Sequence, residues 1–398
     1  MIDFPNSPTV GQQFTAAGVT WVWDGTKWTA SGLGTAYLPL AGGTMTGPVV
    51  LAADPAANLQ AATKQYVDAG VNGVRYGDNR IINGDMRIDQ RNAGATISTF
   101  GYAIDRWSCT ASTTGKFVAN RANATAADFA ATGFGNSFRF GSSSAYTAPA
   151  TEQYGFWQAI EADMLTDLAY GTANAQPITV SFWTYCTLSG LFSGSLQSYG
   201  TPRRSYPFTF NIPTANTWTK IAITIPGDTG GGTVWPIGGN AGALYLFFEM
   251  GSGANARGPA GAWATASYNG ATGSVNLLAT NGANFYLTGV KLEVGSIATP
   301  YNRQSLAKSL ADCQRYYQLY SSQIVGGYGV AGAGLYANFV YQTAMRASPT
   351  VTPSSIAYNN ASNVTINNIA PNYARLSVAI TAPGTGYATY NATFDAEL

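Results

Sequence analysis

Short runs of alternating apolar and polar residues, separated by Gly-, Asn- and Ser-rich gaps, recur along most of this chain. In ITVSFWTYC (178–186), Ile178, Val180 and Phe182 share one face, and Ile221, Ile223 and Ile225 repeat the pattern in TWTKIAITIP (217–226). A period of two puts successive side chains on opposite faces of a strand. Similar runs stand at YAIDRW (102–107), FWQAIEADM (156–164), ALYLFFEM (243–250) and NFYLTGVKLEVGSIATPY (284–301). Six to ten strands joined by polar turns predict a two-sheet antiparallel sandwich over 79–301. The block 321–398 is strand-like again, through 336–341, ARLSVAI and TYNATF, and predicts a C-terminal β tip.

Two segments carry other patterns. At the N-terminus, Val19, Trp21 and Trp23 alternate, Asp24-Gly25 supplies a turn, and Trp28 returns on the second strand, which predicts a hairpin within 1–31. Two strands offer no second layer for three tryptophans. Trp21, Trp23 and Trp28 are therefore expected to dock on another copy or a larger assembly. In SLAKSLADCQRYYQLY, Leu306, Leu310, Cys313, Tyr317 and Tyr320 are spaced by 4, 3, 4 and 3 residues, a two-heptad stripe with Ser305 placed to cap it. Two heptads are too short for an isolated coil. The segment 302–320 reads either as a helical neck in a three-stranded bundle held at both ends by β domains, or as one helix packed on its own sandwich.

Between these lies 32–78, where YLPLAGGTMTGPVVLAADPAANLQAATKQYVDA predicts a short strand at Val49–Leu51 and a short helix from Ala61 to Ala69. Leu38-Pro39-Leu40, Gly42 to Pro48 and Ala61 to Asp68 resemble, in order and spacing, the repeat in the shafts of bacteriophage tail fibres. Asn83-Gly84-Asp85 near the start of the sandwich, with Phe285, Tyr286, Leu287, Val290, Leu292 and Glu293 at its end, resemble the frame of carbohydrate-binding jelly rolls and of phage virion proteins. The resemblance implies a mostly β fold of antiparallel jelly-roll or sandwich domains with a short helical neck, intertwined as a parallel homotrimer with a short shaft. It further implies a virion protein of the phage tail, held by a tail or baseplate protein through residues 1–31 and attaching to host cell-surface polysaccharide. Related jelly rolls often hold a structural calcium, for which Asp85 and Glu293 are the implied ligands.

Composition narrows the chemistry. The 398 residues include 20 Lys+Arg, 19 Asp+Glu and no histidine, and charged residues make up 10% against about 25% in ordinary domains. Without histidine there is no Ser-His-Asp triad, no Cys-His pair and no His-ligated metal. Near-neutrality supplies no basic stripe for nucleic acid. Cys109, Cys186 and Cys313 are few and far apart, so small buried apolar groups are expected rather than a disulfide framework. No apolar run approaches the roughly 18 residues of a membrane span, and the N-terminus lacks a basic region before an apolar one. A soluble product made in the host cytoplasm is expected, with no membrane insertion.

Catalysis would rest on carboxylates alone. Glu161 and Asp163, at i and i+2 on an expected strand, would share a face about 6–7 Å apart, within the range of a glycosidase pair. Asp85 with Asp89, or Asp105 with Glu152, could also meet. With so few acids, ion pairs to Arg87, Arg91 or Arg106 account for them more simply, and a non-catalytic adhesin is expected. A polysaccharide depolymerase and a purely structural collar or head fibre are the alternatives. For ligand contact, Arg203 and Arg204 form an adjacent basic pair bracketed by Tyr199 and Tyr206. Trp235 and Trp263 are alternative stacking platforms, and Tyr328 and Tyr336 are candidates on the tip. The loop could equally be solvated or touch a neighbouring subunit, and the tip tyrosines could pack in a trimer. Gly327, Gly329 and Gly332 form a literal GxGxxG, but no acidic residue follows at the distance a dinucleotide needs.

Overall fold

A computed structural model describes residues 2–31, 79–230, 232 and 234–398. The shaft-like segment 32–78 therefore lies outside the described residues. The chain divides into two compact units, Met1–Val67 and Asp68–Leu398.

The first unit carries β1 (Gln13–Ala16), β2 (Val19–Trp23) and β3 (Trp28–Ser31), an antiparallel three-stranded sheet rather than the expected two-stranded hairpin. The Asp24 turn forms as expected: its carboxylate accepts the Thr26 and Lys27 amides at 2.8 Å each. The tryptophans are only half-buried, because their cover comes from the added N-terminal chain: Phe4 stacks on Trp28 at 5.4 Å and meets Trp21 edge-on at 5.3 Å.

The second unit begins with a sandwich. Its strands are β4 (Gly101–Ile104), β5 (Trp107–Ala111), β6 (Phe117–Asn123), β7 (Asn136–Ser142), β8 (Tyr154–Glu161), β9 (Ile178–Cys186), β10 (Gly190–Ser198), β11 (Ser205–Ile212), β12 (Thr219–Ile225) and β13 (Gly242–Glu249). A two-residue parallel pair, β14 (Arg257–Gly258) with β15 (Gly270–Ala271), precedes β16 (Asn284–Val294). One open sheet has the order β11-β10-β13-β8-β5-β4 and the other β12-β9-β16-β7-β6. All neighbours in both are antiparallel. The inward residues of each alternating run, among them Trp107, Phe138, Phe156, Phe182 and Phe248, are fully buried in one core. Each such side chain stabilises the fold by about 1.5–3 kcal/mol. Cys109, Cys186 and Cys313 are free and buried.

The framing motifs close this sandwich. Gly84 lies where a β-carbon would come within 2.2 Å of the Val290 carbonyl, and the Val290 amide donates to the Gly84 carbonyl at 2.9 Å. Asn83 donates to the Ile88 and Asp105 carbonyls and accepts the Trp107 indole on its own carbonyl.

Helix α1 (Ala126–Thr132) sits in the β6–β7 connection, and α2 (Leu306–Gln314) follows the sandwich. Among the described residues no helix is long and apolar enough to cross a membrane. The two-heptad helix expected over 305–320 is corrected: Ser305 caps α2 as expected, but the helix stops at Gln314. Tyr317 and Tyr320 belong to β17 (Tyr317–Gly329). Leu306 is exposed, Leu310 half-buried and Cys313 buried, so the stripe is not the buried face of a longer coil. The tip continues with β18 (Gly334–Val340), β19 (Thr350–Asn359), β20 (Ala361–Asn367), β21 (Tyr373–Ile380) and β22 (Gly384–Asp395). Two three-stranded sheets, β17-β22-β19 and β18-β21-β20, close on a second core that includes Leu376, Val378, Tyr390 and Phe394.

Candidate functional site

Alternation that points Phe156, Leu196, Leu246 and Phe248 inward must point their neighbours out of the six-stranded sheet. Cross-strand register then lines those neighbours up. Ser195 faces Phe247, Phe247 faces Trp157, Trp157 faces Ser108, and Ser108 faces Tyr102, one row across five strands. Gln197 opposite Tyr245 starts the adjacent row. Trp157 meets Tyr245 edge-on at 4.9 Å and Tyr102 at 6.3 Å, while Tyr199 stacks on Tyr245 at 4.3 Å. Strands are about 4.8 Å apart, so the aromatic row from β13 to β4 runs about 15 Å, the length of a short oligosaccharide.

Gln153, Trp157, Gln197, Arg203, Tyr245, Phe247, Ser267 and Asn269 line an open groove of about 230 Å³ on this face. Its polar wall is a chain of side-chain amides: Gln197 donates to Asn269 at 3.0 Å, and Asn269 donates to Gln153 at 2.9 Å. The aromatic groups are fixed in place. The Trp157 indole donates to Thr110 at 2.9 Å, and the Arg203 guanidinium lies over the Tyr199 and Tyr245 rings at 5.5 and 5.4 Å. Phe247 lies over Gly155, where a β-carbon would come within 2.5 Å of its ring. Burial, and then the adjoining Tyr199 hydroxyl, push the Tyr245 phenol well above its ordinary range, so it stays a neutral hydrogen-bond donor. Fixed ring faces for sugar C–H groups beside amide donors and acceptors for hydroxyls are what a glycan requires.

Only part of the residues expected from sequence meet here. Arg203 lines the groove, and Tyr199 stacks on its Tyr245. Arg204 instead turns inward: it is buried, its Nε donates to both oxygens of Asp228 at 3.1 and 2.9 Å, and its Nη1 to Thr265. The basic pair is thus split between surface and core. Trp235 is buried with its indole on Asp228 at 3.0 Å and packs with Tyr170 and the half-buried Trp263, and the buried Tyr206 packs on Trp263 in turn. Tyr328 and Tyr336 are exposed on the tip, with Arg375 3.9 Å from the Tyr336 ring centre. Trp157, Tyr245, Phe247, Gln197 and Asn269 were not singled out from sequence, although the alternation in FWQAIE and ALYLFFE turns Trp157, Tyr245 and Phe247 away from the core.

The strand expected to carry both Glu161 and Asp163 ends at Glu161, and Asp163 lies in the 3₁₀ turn Ala162–Leu168 that follows. Both line a cleft of about 460 Å³ beside α2, together with Asp85 and Asp312. Glu161 is buried and ion-paired with Arg315 at 2.6 Å. Asp85 pairs with Arg87 at 2.5 Å, and Glu293 with Lys291 at 2.8 Å while accepting two bonds from Thr299. Each of the two carboxylates implied as calcium ligands is thus engaged by its own cation. Among the described residues no three acidic or sulfur side chains converge as a metal site. The residues present do not fit a calcium ion.

No protein-family model matches the chain. Over 40 residues, 10% of this chain and 4% of the other, it is 55% identical to the uncharacterized protein 091L of Invertebrate iridescent virus 3, so it spans a small fraction of that relative's length. Among solved structures it is similar to the enzymatically active domain of tailspike protein 4 of bacteriophage CBA120, at 14% identity over 54% of this chain and 21% of that one, with a TM-score of 0.28. The CBM22-1 xylan-binding domain from Paenibacillus barcinonensis aligns at 11% identity over 52% of this chain and 99% of that one, TM-score 0.26. The family 11 carbohydrate-binding module of a Clostridium thermocellum cellulase aligns at 11% identity over 52% and 98%, TM-score 0.25.

Proposed function

We propose that this chain is a glycan-binding adhesin of a bacteriophage-type tail fibre or spike, which attaches the virion to host surface polysaccharide through the groove on the six-stranded sheet. The observation that carries the reading is the ordered row Tyr245–Trp157–Tyr102 beside the Gln197–Asn269–Gln153 amides. Its ring faces and donors are held before any ligand arrives, which lowers the entropy lost on binding. In this reading the protein assembles as a homotrimer, so weak contacts in each chain add through avidity. Trp21, Trp23 and Trp28 form the contact with the tail.

The test is retardation of the full chain in gels containing host surface polysaccharide, compared with Trp157→Ala. Loss of one stacked aromatic should weaken binding about tenfold, with an unchanged circular dichroism spectrum because Trp157 is half-exposed on an outer face. Equal retardation of both proteins would sink the groove. Depolymerisation is the second reading, favoured by Glu161 and Asp163 lining one cleft. It requires new reducing ends that Glu161→Gln abolishes. Binding without released sugar retires it, and absence of both binding and release favours a purely structural fibre.

A further inference from the structure

The five-stranded sheet has an outer face too, and it carries a second aromatic row. Tyr185 on β9 is the register partner of Tyr286 on β16, and Thr219 facing Thr184 places Trp218 beside Tyr185 on the other side. Ring centres are 5.7 Å apart for Trp218 and Tyr185, and 5.5 Å for Tyr185 and Tyr286. All three rings are half-exposed. They form one wall of a cleft of about 330 Å³ whose other lining includes Asn123, Thr125, Asp128 and Ser137.

The rings are pinned by their polar atoms. The Trp218 indole donates to Asp128 at 2.8 Å and the Tyr185 hydroxyl to Asn216 at 3.1 Å. A β-strand face needs no such tethers to be stable, but a stacking platform does, because a ring free to rotate loses entropy when a ligand orders it. Asn136 donates to Asn123 at 3.0 Å, which leaves the Asn123 amide group fixed at the rim. Among the described residues no Lys or Arg lines this cleft, and Asp128 places a carboxylate in it.

We propose that this cleft is a second carbohydrate site, selective for neutral sugars, on the sheet opposite the groove. The proposal rests on the glycan reading above and adds to it a bivalent chain. The groove, with Arg203 at its edge, accepts neutral or acidic sugars. The Trp218 cleft, with Asp128 and no cation among its described lining, disfavours acidic ones by like-charge repulsion. Sites on opposite faces of one sandwich let a single chain bridge two glycan strands, which raises avidity before oligomerisation contributes.

The experiment runs the full chain in gels containing soluble galactomannan, dextran, xylan or mixed-linkage β-glucan, then titrates a hexasaccharide of each retarding polymer by calorimetry. The unaltered chain should bind two hexasaccharides. Trp218→Ala should bind one, and so should Trp157→Ala, each with roughly tenfold weaker retardation. Trp218→Phe, which keeps a ring but not the bond to Asp128, should retain the second site at reduced affinity, guarding against a folding defect. One site in the unaltered chain, removed by Trp157→Ala and untouched by Trp218→Ala, overturns the second site and leaves the groove. The reverse pattern overturns the groove alone, and retardation by no polymer overturns both. If Trp218→Ala lowers the assembled mass in light scattering while the number of bound hexasaccharides stays the same, the face is a subunit contact and the proposal fails.

Discussion

Asp105 is enclosed by protein, and its fate with pH follows from that. Its carboxylate accepts the Gln90 side-chain amide at 2.5 Å and the Gln90 backbone amide at 3.0 Å and lies near Arg91, yet burial outweighs all three and pushes its pKa up to about 6 from 3.8. The folded state therefore holds this proton more tightly than the unfolded chain does. The stability that Asp105 contributes is complete below about pH 4 and is lost as pH rises through about 6, a change of about 3 kcal/mol. Asp105→Asn keeps one of the two acceptors that Gln90 uses, for its backbone amide, and removes the titration. Urea unfolding of the variant should show a shallower decline than the parent between about pH 4 and pH 7, and higher stability at pH 7. Asp85 and Glu249, whose burial also raises their pKa values, contribute to the same slope in both proteins, so the difference isolates Asp105. Parallel pH profiles would show that Asp105 is not the group responsible.

At the scale of elements, period-two runs were legible wherever one face met the core. ITVSFW, TKIAITI and NFYLTGVKLEV became β9, β12 and β16 because each needs its inward residues covered. The helix at 305–320 was legible at its start, where Ser305 accepts the Lys308 amide at 3.2 Å, and not at its end. Its apparent heptads run on through Tyr317 and Tyr320, but Arg106 lies 3.5 Å from the Tyr316 ring centre and Arg91 3.8 Å from that of Tyr317. The buried Arg106 and half-buried Arg91, together with pairing of Tyr317 to Asp395, draw the chain into β17. Partners about 80 to 230 residues away cannot be seen in a local period. The groove was missed for a related reason: Tyr199 and Arg203 are close in sequence, whereas Trp157, Gln197 and Tyr245 meet only through strand order. That order also gives Gly155 a task. In Gly155→Val the new side chain would collide with Phe247 and the Phe248 carbonyl, 2.3 Å from a β-carbon. The variant should melt several degrees lower, at a cost of about 1–3 kcal/mol, and bind glycan less well. An unchanged melting temperature would refute this packing.

Across the whole molecule, charge and apolar surface are divided in a way that bears on assembly. The tip is tied to the sandwich by ions: Arg91 pairs with Asp395 at 2.8 Å and Glu397 at 3.0 Å, Arg106 pairs with Glu397, and Arg315 with Glu161 at 2.6 Å. This leaves the outer faces of the tip almost uncharged. Eleven of the twenty exposed large apolar residues among those described lie between Leu319 and Tyr387, including Ile324, Val330, Tyr336 and Val340. Exposed apolar surface gathered on one small domain marks an interaction surface, and on a parallel homotrimer the nearest partners are the other two tips. Val340 is 73% exposed on β18, so Val340→Asp should leave each folded chain intact and place like charges together on the proposed threefold contact. Light scattering should report a monomer. The affinity for a free hexasaccharide should not change, since the groove belongs to the sandwich, while binding to a polysaccharide-coated surface should fall by about 10²–10⁴ as avidity is lost. A variant that stays trimeric places the assembly contact elsewhere in the chain. A monomer with undiminished surface binding would mean that avidity is not how this protein holds its ligand.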